Sequence, residues 1–335
     1  MKSHNRIDVH HHILPDFYLA GLAEVGVKHS GGNVLGSWTP EQSLALMETA
    51  GIATAIMSVS EPGVYPIVHQ SKEKGRALAR KINEFMAEVH AQHPRQFGGF
   101  ALLPFPDADG ALKEMEYALD VLKLDGVALL SNYDDHILGD RYFDEFFDAL
   151  NKRCGIFHIH PSIPPGNPAR AEFMPVDFLV EFPFSTTRAA VNLIFSGTLD
   201  RCPNLKPILS HMGGTFPYLR FRIDDGFTRF VNKDTPFRLP VKPYVHEIWA
   251  NLPKRIPEYF KQFYFDVALA TDDICFHAVD RVAPGHALFG TDATLAFKGQ
   301  PEFFAENVES YYTDDDQLYA VNRGNAEKLF PRFKA

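Results

Sequence analysis

Cysteine and tryptophan are scarce in this sequence, which has three cysteines and two tryptophans among its 335 residues. Cys154, Cys202 and Cys275 are far apart, odd in number and outside any C-x-x-C pair. That spacing argues against a cysteine metal site or a redox pair. We expect each cysteine to be a small buried hydrophobic side chain.

Basic blocks and long apolar runs are also missing. The net charge is −9 at pH 7 and the pI is about 5.9, whereas a nucleic-acid-binding chain needs a basic stripe. The chain has no run of about 18 apolar residues, and no apolar signal core follows Met1, so neither a membrane span nor a secretory leader is predicted. We therefore expect a cytoplasmic protein with no nucleic-acid or membrane partner.

Phenylalanine, in contrast, is abundant, with 29 residues in a chain that is 45% hydrophobic and 22% charged. Apart from this excess, those proportions are typical of a globular protein. We expect most of the rings to fill the core and a few to line an apolar pocket for a planar substrate. The length fits either two average domains or one large α/β barrel.

Short apolar runs alternate with helical patterns along the whole chain, which indicates parallel strands joined by helical crossovers. Eight runs predict strands: 6–10, 53–59, 97–103, 126–130, 156–160, 207–210, 263–267 and 287–290. Helices are predicted over 40–50, 71–93, 110–122, 141–153, 187–201, 216–230, 272–281 and 314–330.

Eight such strands favour a (β/α)₈ TIM barrel, with a doubly wound open sheet as the alternative. The longest stretches without a helix or strand pattern are 21–39, 161–175 and 232–253, and long loops of this kind often carry function. We predict one domain over 1–335, with an insertion-like segment at about 231–262 and a C-terminal helical segment at 314–335.

The first predicted strand ends in three consecutive histidines, within Asp8-Val9-His10-His11-His12. Because side chains alternate faces along a strand, His10 and His12 project to the same side and can bind one metal ion. A tag remnant would lack the apolar strand residues before the histidines and the Ile-Leu-Pro turn after them. His11 faces the other way, and no role can be assigned to it.

Further metal-ligand residues stand where three other strands end. His160 ends the fifth strand, with His158 as the alternative on the same face, while His211 follows the sixth and Asp292 the eighth. In a barrel these ends meet at the C-terminal face, where catalytic groups are assembled. Three imidazoles and a carboxylate suit Zn²⁺ with one position open for water or substrate.

The motifs D-V-H-H-H-I-L-P, F-H-I-H-P, L-S-H-M-G-G-T-F-P and L-F-G-T-D together resemble the amidohydrolase-related decarboxylases of the aminocarboxymuconate-semialdehyde decarboxylase family. Longer stretches within 51–64, 118–130 and 184–199 are similar to the 6-methylsalicylate decarboxylases of that group. The resemblance implies an amidohydrolase-like barrel and metal ligands His10, His12, His160 and Asp292, with His211 as an acid/base. The fourth strand, 126–130, lacks the lysine that bridges two metals in dinuclear relatives, so one metal is expected.

One difference from the aminocarboxymuconate enzymes restricts the range of substrates that the resemblance implies. The position after Trp38-Thr39-Pro40 where the aminocarboxymuconate enzymes carry a carboxylate-binding arginine is Ser43 here. A salicylate-type acid, which can chelate the metal through its carboxylate and hydroxyl, needs that arginine less. Trp38, Ser43 and Arg188 are the candidate substrate contacts, and Arg220 and Arg222 are further candidate anion partners.

The predicted reaction is the loss of CO₂ from a hydroxylated aromatic acid such as 6-methylsalicylate, without oxidation and without an organic cofactor. Zn²⁺ is the expected metal, with Mn²⁺ as the alternative, and Asp292 would protonate the ring carbon while His211 tunes it. The alternative function is a metal-dependent hydrolase of an amide, ester or lactone. Relatives are commonly dimers or tetramers, so we expect a homodimer or homotetramer.

Overall fold

The computed structural model describes residues 5–153, 155–166, 169–174, 176–231 and 241–334. Cys154, the N-terminal residues before Asn5 and residues 232–240 of the predicted insertion lie outside the described residues. Cys202 is buried and Cys275 is half-buried, and both are free thiols.

Eight parallel strands form one sheet in the order in which they occur along the chain. Their bounds are β1 Arg6–His12, β2 Ile52–Ser58, β3 Phe97–Leu102, β4 Gly126–Leu130, β5 Ile156–His160, β6 Lys206–Leu209, β7 Tyr264–Asp266 and β8 Ala287–Leu288. The sheet closes on itself because the Val9 N–H donates to the carbonyl of Phe289 at 3.0 Å and His11 pairs with Ala293. The predicted barrel is confirmed, and the open doubly wound alternative is wrong.

Helices cover the outside of the barrel. Their bounds are α1 Asp16–Glu24, α2 Pro40–Thr49, α3 Tyr65–Gln70, α4 Lys72–Gln92, α5 Ala108–Glu116, α6 Asp144–Asn151, α7 Glu181–Phe195, α8 Thr198–Arg201, α9 Arg220–Val231, α10 Pro243–Ala250, α11 Ile256–Tyr259, α12 Asp273–Val282, α13 Gln300–Tyr311, α14 Asp315–Tyr319 and α15 Asn325–Leu329. A π-helical turn, Ala320–Gly324, joins α14 to α15, so the C-terminal segment is helical with one interruption.

Parts of two segments that were predicted to be irregular have regular structure. The stretch 21–39 contains the end of α1 and a hairpin of His29–Ser30 with Asn33–Val34, and 232–253 contains α10. Helix α10 has no fully buried residue, but its half-buried Val245, Ile248 and Trp249 follow the helical spacing that identifies a helix in a sequence. Helix α13 was missed although its buried residues Pro301, Phe304, Ala305 and Val308 follow a helical spacing.

The N-terminal end of the barrel is closed by apolar side chains and by buried ion pairs. Phe330 and Phe333 pack in one cluster with the barrel residues Ile56 and Phe100. The Arg6 side chain, 1% exposed, donates to the Ala50 carbonyl at 2.8 Å, to Asn322 Oδ1 at 3.1 Å and to Glu309. This end of the barrel therefore lacks space for a substrate. Among the described residues, no helix combines the length and the apolar character that a membrane crossing needs.

Candidate metal centre and adjoining cavity

The opposite end of the barrel brings the predicted metal-ligand residues together. The Nε2 atoms of His10 and His12, at the end of β1, are 2.9 Å apart. Asp292 Oδ1, from the loop after β8, is 3.1 Å from the Nε2 of His10 and 3.0 Å from that of His12. Parallel strands deliver their C-terminal ends to one face of a barrel, which is why residues 280 positions apart in the sequence meet here.

His160 and His211 complete this group, which we call the histidine cluster together with His10, His12 and Asp292. One side-chain nitrogen or oxygen of each of His10, His160, His211 and Asp292 lies within 4.8 Å of the others. His211 and Asp292 have φ angles of 55° and 58°, in a left-handed region that non-glycine residues rarely adopt and that is common at functional sites.

The outer nitrogen of each strand histidine is anchored by the protein. His10 Nδ1 donates to Asp266 Oδ2 at 3.1 Å, His12 Nδ1 bonds to the Ser58 hydroxyl at 3.1 Å, and His160 Nδ1 donates to the Pro161 carbonyl at 2.8 Å. With the proton on Nδ1, the lone pair of each ring is on Nε2, the atom that the cluster brings together. Anchoring of the outer nitrogen is typical of histidines that bind metals.

Asp266, at the end of β7, is an important residue that the sequence reasoning missed. Its Oδ2 also accepts a hydrogen bond from His158 Nε2 at 2.9 Å, and its Oδ1 accepts from the backbone N–H of His211 and of Ala268, both at 3.1 Å. A Cβ atom on Gly290 would lie 3.0 Å from the Cβ atoms of Asp266 and His10, so a larger residue there would push these two side chains away. The available signal was a lone carboxylate at the end of the apolar run 263–267.

His158 therefore supports the cluster through Asp266. Its ring also stacks on Phe100, with centroids 5.8 Å apart and planes 3° from parallel. Because His158 bonds to Asp266 while His160 belongs to the cluster, the structure separates the two histidines between which the sequence left a choice.

Charge in the cluster favours a bound cation. Burial lowers the pKa of His10, but the carboxylates of Asp266 and Asp292 outweigh it and raise that pKa to about 10. Burial lowers the pKa of His211 to about 4, and His10 adds to the effect. Although burial opposes ionisation, His10 and His12 hold the pKa of Asp292 well below its usual range.

The residues present fit a divalent metal ion. The Nε2 atoms of His10 and His12 and a carboxylate oxygen lie within 3.1 Å of one another, an arrangement that requires a cation, either a metal ion or a proton, between the three atoms. The buried Nε2 of His211 has no hydrogen-bond partner among the described residues. Imidazole and carboxylate together suit Zn²⁺, Mn²⁺ and similar ions.

A cavity of about 410 Å³ opens onto the histidine cluster. It is lined by Ser30, Asn33, Ser60, His160, Phe178, Leu179, Phe182, Pro183, His211, Leu269, Asp292, Leu295, Ala296, Phe297 and Gln300. No lysine or arginine is among these described lining residues. More than half of these residues are apolar, and the polar ones are Ser30, Asn33, Ser60 and Gln300 together with His160, His211 and Asp292 of the cluster.

The predicted substrate contacts do not line this cavity. Trp38 Nε1 donates to Ser43 Oγ at 2.7 Å, and Ser43 Oγ bonds to His11 Nε2 at 2.6 Å. Trp38 and Ser43 are buried beside His11 and are not among the described residues that line the cavity. Arg188 is exposed on α7 and bonds to Ser185. Arg220 and Arg222 are exposed on α9, also outside the described lining.

Comparison with known proteins identifies the family. The family model described as Amidohydrolase matches residues 7–332. The decarboxylase yanB of Aspergillus niger is 33% identical over 98% of this chain and 88% of its own length. The 6-methylsalicylic acid decarboxylase of Penicillium expansum is also 33% identical, over 98% of this chain and 97% of its own length.

The fold is shared with a solved decarboxylase structure. The crystal structure of the dihydroxybenzoic acid decarboxylase from Polaromonas, which contains manganese and the inhibitor 2-nitroresorcinol, superposes with a TM-score of 0.78 at 24% identity. The match covers 99% of this chain and 98% of that chain. At this identity the likeness shows the common barrel fold.

Proposed function

This chain belongs to the amidohydrolase family, and we propose that it acts there as a decarboxylase of 6-methylsalicylate or a closely related salicylate. At the coarser level it is a metal-dependent, non-oxidative decarboxylase of aromatic acids, with a divalent metal site built from histidine and aspartate. Beyond this, we propose a substrate and a role for each residue of the site.

The observation that carries the proposal is an apolar cavity that ends at the histidine cluster and has no lysine or arginine among its described lining residues. A carboxylate in that cavity needs a positive partner, and the cluster is where a cation would be. An acid with a hydroxyl next to its carboxylate can bind one ion through both oxygens. This requirement favours salicylates over acids that depend on an arginine.

We assign His10, His12, His160 and Asp292 as the metal ligands, with His211 beside the open position. Bound there, Zn²⁺ or Mn²⁺ would supply Lewis acidity for the carboxylate and phenolate oxygens. The anchored Nδ1 atoms keep the ligand rings in place, and Asp266 holds His10 in particular.

The ring carbon must gain a proton as CO₂ leaves, and Asp292 is our proposed donor. Asp292 lines the cavity and contacts His10 and His12, so its carboxyl group lies between the cluster and the substrate. The phenol of a salicylate can release the required proton when it binds, and Asp292 can transfer it to the carbon. The C–C bond electrons then form the new C–H bond, and no oxidant is needed. His211, with its unpartnered Nε2 on the same wall, would tune this transfer.

The shape of the wall suits a ring that carries a methyl group. Phe182 lies edge-on to His160, with ring centroids 6.0 Å apart, and Phe178 and Leu295 extend the apolar surface. Gly31 permits this placement, because a Cβ there would lie 2.8 Å from the Phe182 ring. Against Phe178, Phe182 and Leu295 a second ring hydroxyl would lose water without gaining a hydrogen bond, whereas a methyl group would gain about 0.8 kcal/mol from burial.

We also propose a homodimer or homotetramer. Leu179, Leu269 and Phe297 line the cavity and are 57%, 39% and 60% exposed, so its rim is apolar, and large exposed apolar patches commonly mark interfaces. Light scattering of the purified protein would give a mass of two or four chains, and a monomer at micromolar concentration would contradict the proposal.

The function is tested by incubating protein loaded with Zn²⁺ or Mn²⁺ with a panel of salicylates, resorcylates and dihydroxybenzoates while CO₂ release is measured. We expect 6-methylsalicylate to give the highest kcat/KM and benzoate, which lacks the hydroxyl, to give no product. An ester and lactone panel is run in parallel. Hydrolysis without CO₂ release from any acid would contradict the proposal.

A further inference from the structure

His11 is the one histidine of the first motif that the proposed function does not use. Its ring is fully buried and contacts Asp8 and Ser43 rather than the cavity. His11 Nδ1 is 2.9 Å from Asp8 Oδ2, and His11 Nε2 is 2.6 Å from Ser43 Oγ. A buried imidazole with both nitrogens hydrogen-bonded restrains the positions of its partners. The role of His11 therefore depends on what Asp8 and Ser43 contact in turn.

Asp8 connects the two segments that carry the histidine cluster. Its Oδ1 accepts hydrogen bonds from the backbone N–H of His10 at 3.0 Å and of Thr291 at 3.1 Å, and its Oδ2 accepts from the Thr291 hydroxyl at 2.6 Å. Thr291 directly precedes Asp292, whose own N–H donates to the His10 carbonyl at 2.9 Å. The carboxylate of Asp8 therefore fixes the backbone of His10 against the backbone next to Asp292.

The protons in this network have one consistent arrangement. Asp8 is an acceptor for its other donors, so His11 Nδ1 carries the proton that it donates to Asp8. In a neutral ring Nε2 then accepts from the Ser43 hydroxyl, and Ser43 Oγ in turn accepts from Trp38 Nε1, 2.7 Å away. Hydrogen bonds thus run from Trp38 through Ser43 and His11 to Asp8, and each group donates to the next. Ser43 lies on α2, so the helix layer sets the orientation of the His11 ring.

We propose that His11 is a positioning residue for the metal centre: by donating to Asp8 it keeps His10 and Asp292 in register for metal binding. Ser43, on α2, holds the His11 ring through Nε2, and Trp38 holds Ser43. This inference rests on the metal site of the proposed function, but it concerns metal binding and does not depend on which reaction follows.

The test compares two substitutions of His11 that differ in which ring nitrogen they imitate. In His11→Asn the amide nitrogen can take the place of Nδ1 and keep the donor to Asp8. In His11→Gln the amide reaches the position of Nε2, so the contact with Ser43 is kept and the donor to Asp8 is lost. Titration calorimetry of Mn²⁺ into the metal-free full chain should give a Kd about 10- to 100-fold weaker for His11→Gln, as for other residues that orient metal ligands. We expect His11→Asn to stay within about threefold of the unaltered protein.

His286→Gln serves as the matched control, because His286 also bonds through Nδ1, to the Phe263 carbonyl at 2.9 Å, but adjoins the start of β8. Its Mn²⁺ affinity should equal that of the unaltered protein. Thermal unfolding of the metal-free variants gives a second readout. A merely structural His11 would lower the melting temperature and leave the Kd unchanged, and that result would overturn the proposal. Equal weakening by His11→Asn and His11→Gln would also overturn it, because the donor to Asp8 would then be irrelevant.

If neither His11 variant folds, Thr291→Val takes their place. It keeps the side-chain shape and removes the hydroxyl donor to the same Asp8 oxygen, so the Mn²⁺ Kd should rise about tenfold; an unchanged Kd would overturn the proposal. Failure of the proposed function gives a different pattern. In that case the unaltered protein binds Mn²⁺ and His11→Gln binds it more weakly, yet no acid in the panel releases CO₂.

Discussion

Both ends of the barrel bury charged groups, but the Arg6 guanidinium at one end has its partners within the protein, whereas the histidine cluster at the other end does not. At the N-terminal end, Arg6 bonds to Ala50, Asn322 and Glu309. At the C-terminal end, His211 Nε2 is buried without a partner among the described residues, and the Nε2 atoms of His10 and His12 face each other at 2.9 Å. The difference indicates that the first end stabilises the fold, whereas the second is arranged for groups that the protein must bind.

The largest expected effect comes from Asp292→Asn at the C-terminal end. Without a carboxyl group at this position the ring carbon loses its proposed proton donor, so kcat/KM should fall by about 10³-fold or more. The melting temperature of the metal-free protein should not fall. Asp280→Asn is the control, because Asp280 accepts a hydrogen bond from Tyr312 outside the described cavity lining. Full activity of Asp292→Asn in steady-state assays would contradict the assignment.

Removal of the metal tests whether the C-terminal end of the barrel binds an ion. A metal bound at one hundred times its Kd stabilises the folded state by about 2.7 kcal/mol, so a chelator should lower the melting temperature and Mn²⁺ or Zn²⁺ should restore it. In Arg6→Met the same metal-dependent shift should persist, because the N-terminal end takes no part in binding. A melting temperature that is insensitive to chelator would show that the histidine cluster holds no ion.

Arg6→Met should lower stability and leave activity unchanged, which is the opposite of the result expected for Asp292→Asn. The substitution removes the hydrogen bonds that Arg6 donates to the Ala50 carbonyl, Asn322 and Glu309. Because the Glu309 side chain is 33% exposed, water compensates in part. The free energy of unfolding should fall by about 2 kcal/mol, as urea denaturation would measure. The kcat of the folded enzyme should stay unchanged. A loss of kcat without a loss of stability would remove the distinction between the ends.

A predicted effect on stability that is confined to one pH range concerns Glu61, a buried residue whose Oε2 accepts a hydrogen bond from the Ser30 hydroxyl at 2.5 Å. Burial raises the pKa of Glu61 to about 7, although the bond from Ser30 opposes the shift. The folded state therefore keeps a proton that the unfolded chain has released, and stability falls as pH rises from about 4.5 to about 7. One pKa unit corresponds to about 1.4 kcal/mol, so with the shift from 4.5 to about 7 Glu61→Gln should be roughly 3 kcal/mol more stable than the unaltered protein at pH 8 and nearly equal to it at pH 4. Urea denaturation at both pH values checks this, and a stabilisation of equal size at both would exclude titration of Glu61 as the cause.

The strands could be predicted closely because their apolar runs are short and bounded by turn residues. The predicted bounds of β4 and β5 match the structure, and those of β1 and β8 differ by two residues. Helix α10 was missed although Val245, Ile248 and Trp249 follow a helical spacing, because its eight residues hold a single such repeat.

The candidate site also contains residues that local spacing predicts and residues that it does not. Residues that share a strand, such as His10 and His12, can be paired from spacing alone. The roles of Asp266 and Ser43 depend on contacts between β7 and β1 and between α2 and β1, which no local pattern encodes. For that reason Ser43 was predicted to contact the substrate, whereas the structure places it beside His11.

The central claim is that the histidine cluster removes CO₂ from a salicylate and returns one proton to the same carbon. Its most direct test is the reaction of metal-loaded protein with carboxyl-labelled 6-methylsalicylate in D₂O, followed by mass spectrometry and NMR. We expect labelled CO₂ and m-cresol in equal amounts, with one deuterium on the carbon between the hydroxyl and the methyl group. Unchanged substrate, or a product that keeps its carboxylate, would contradict it.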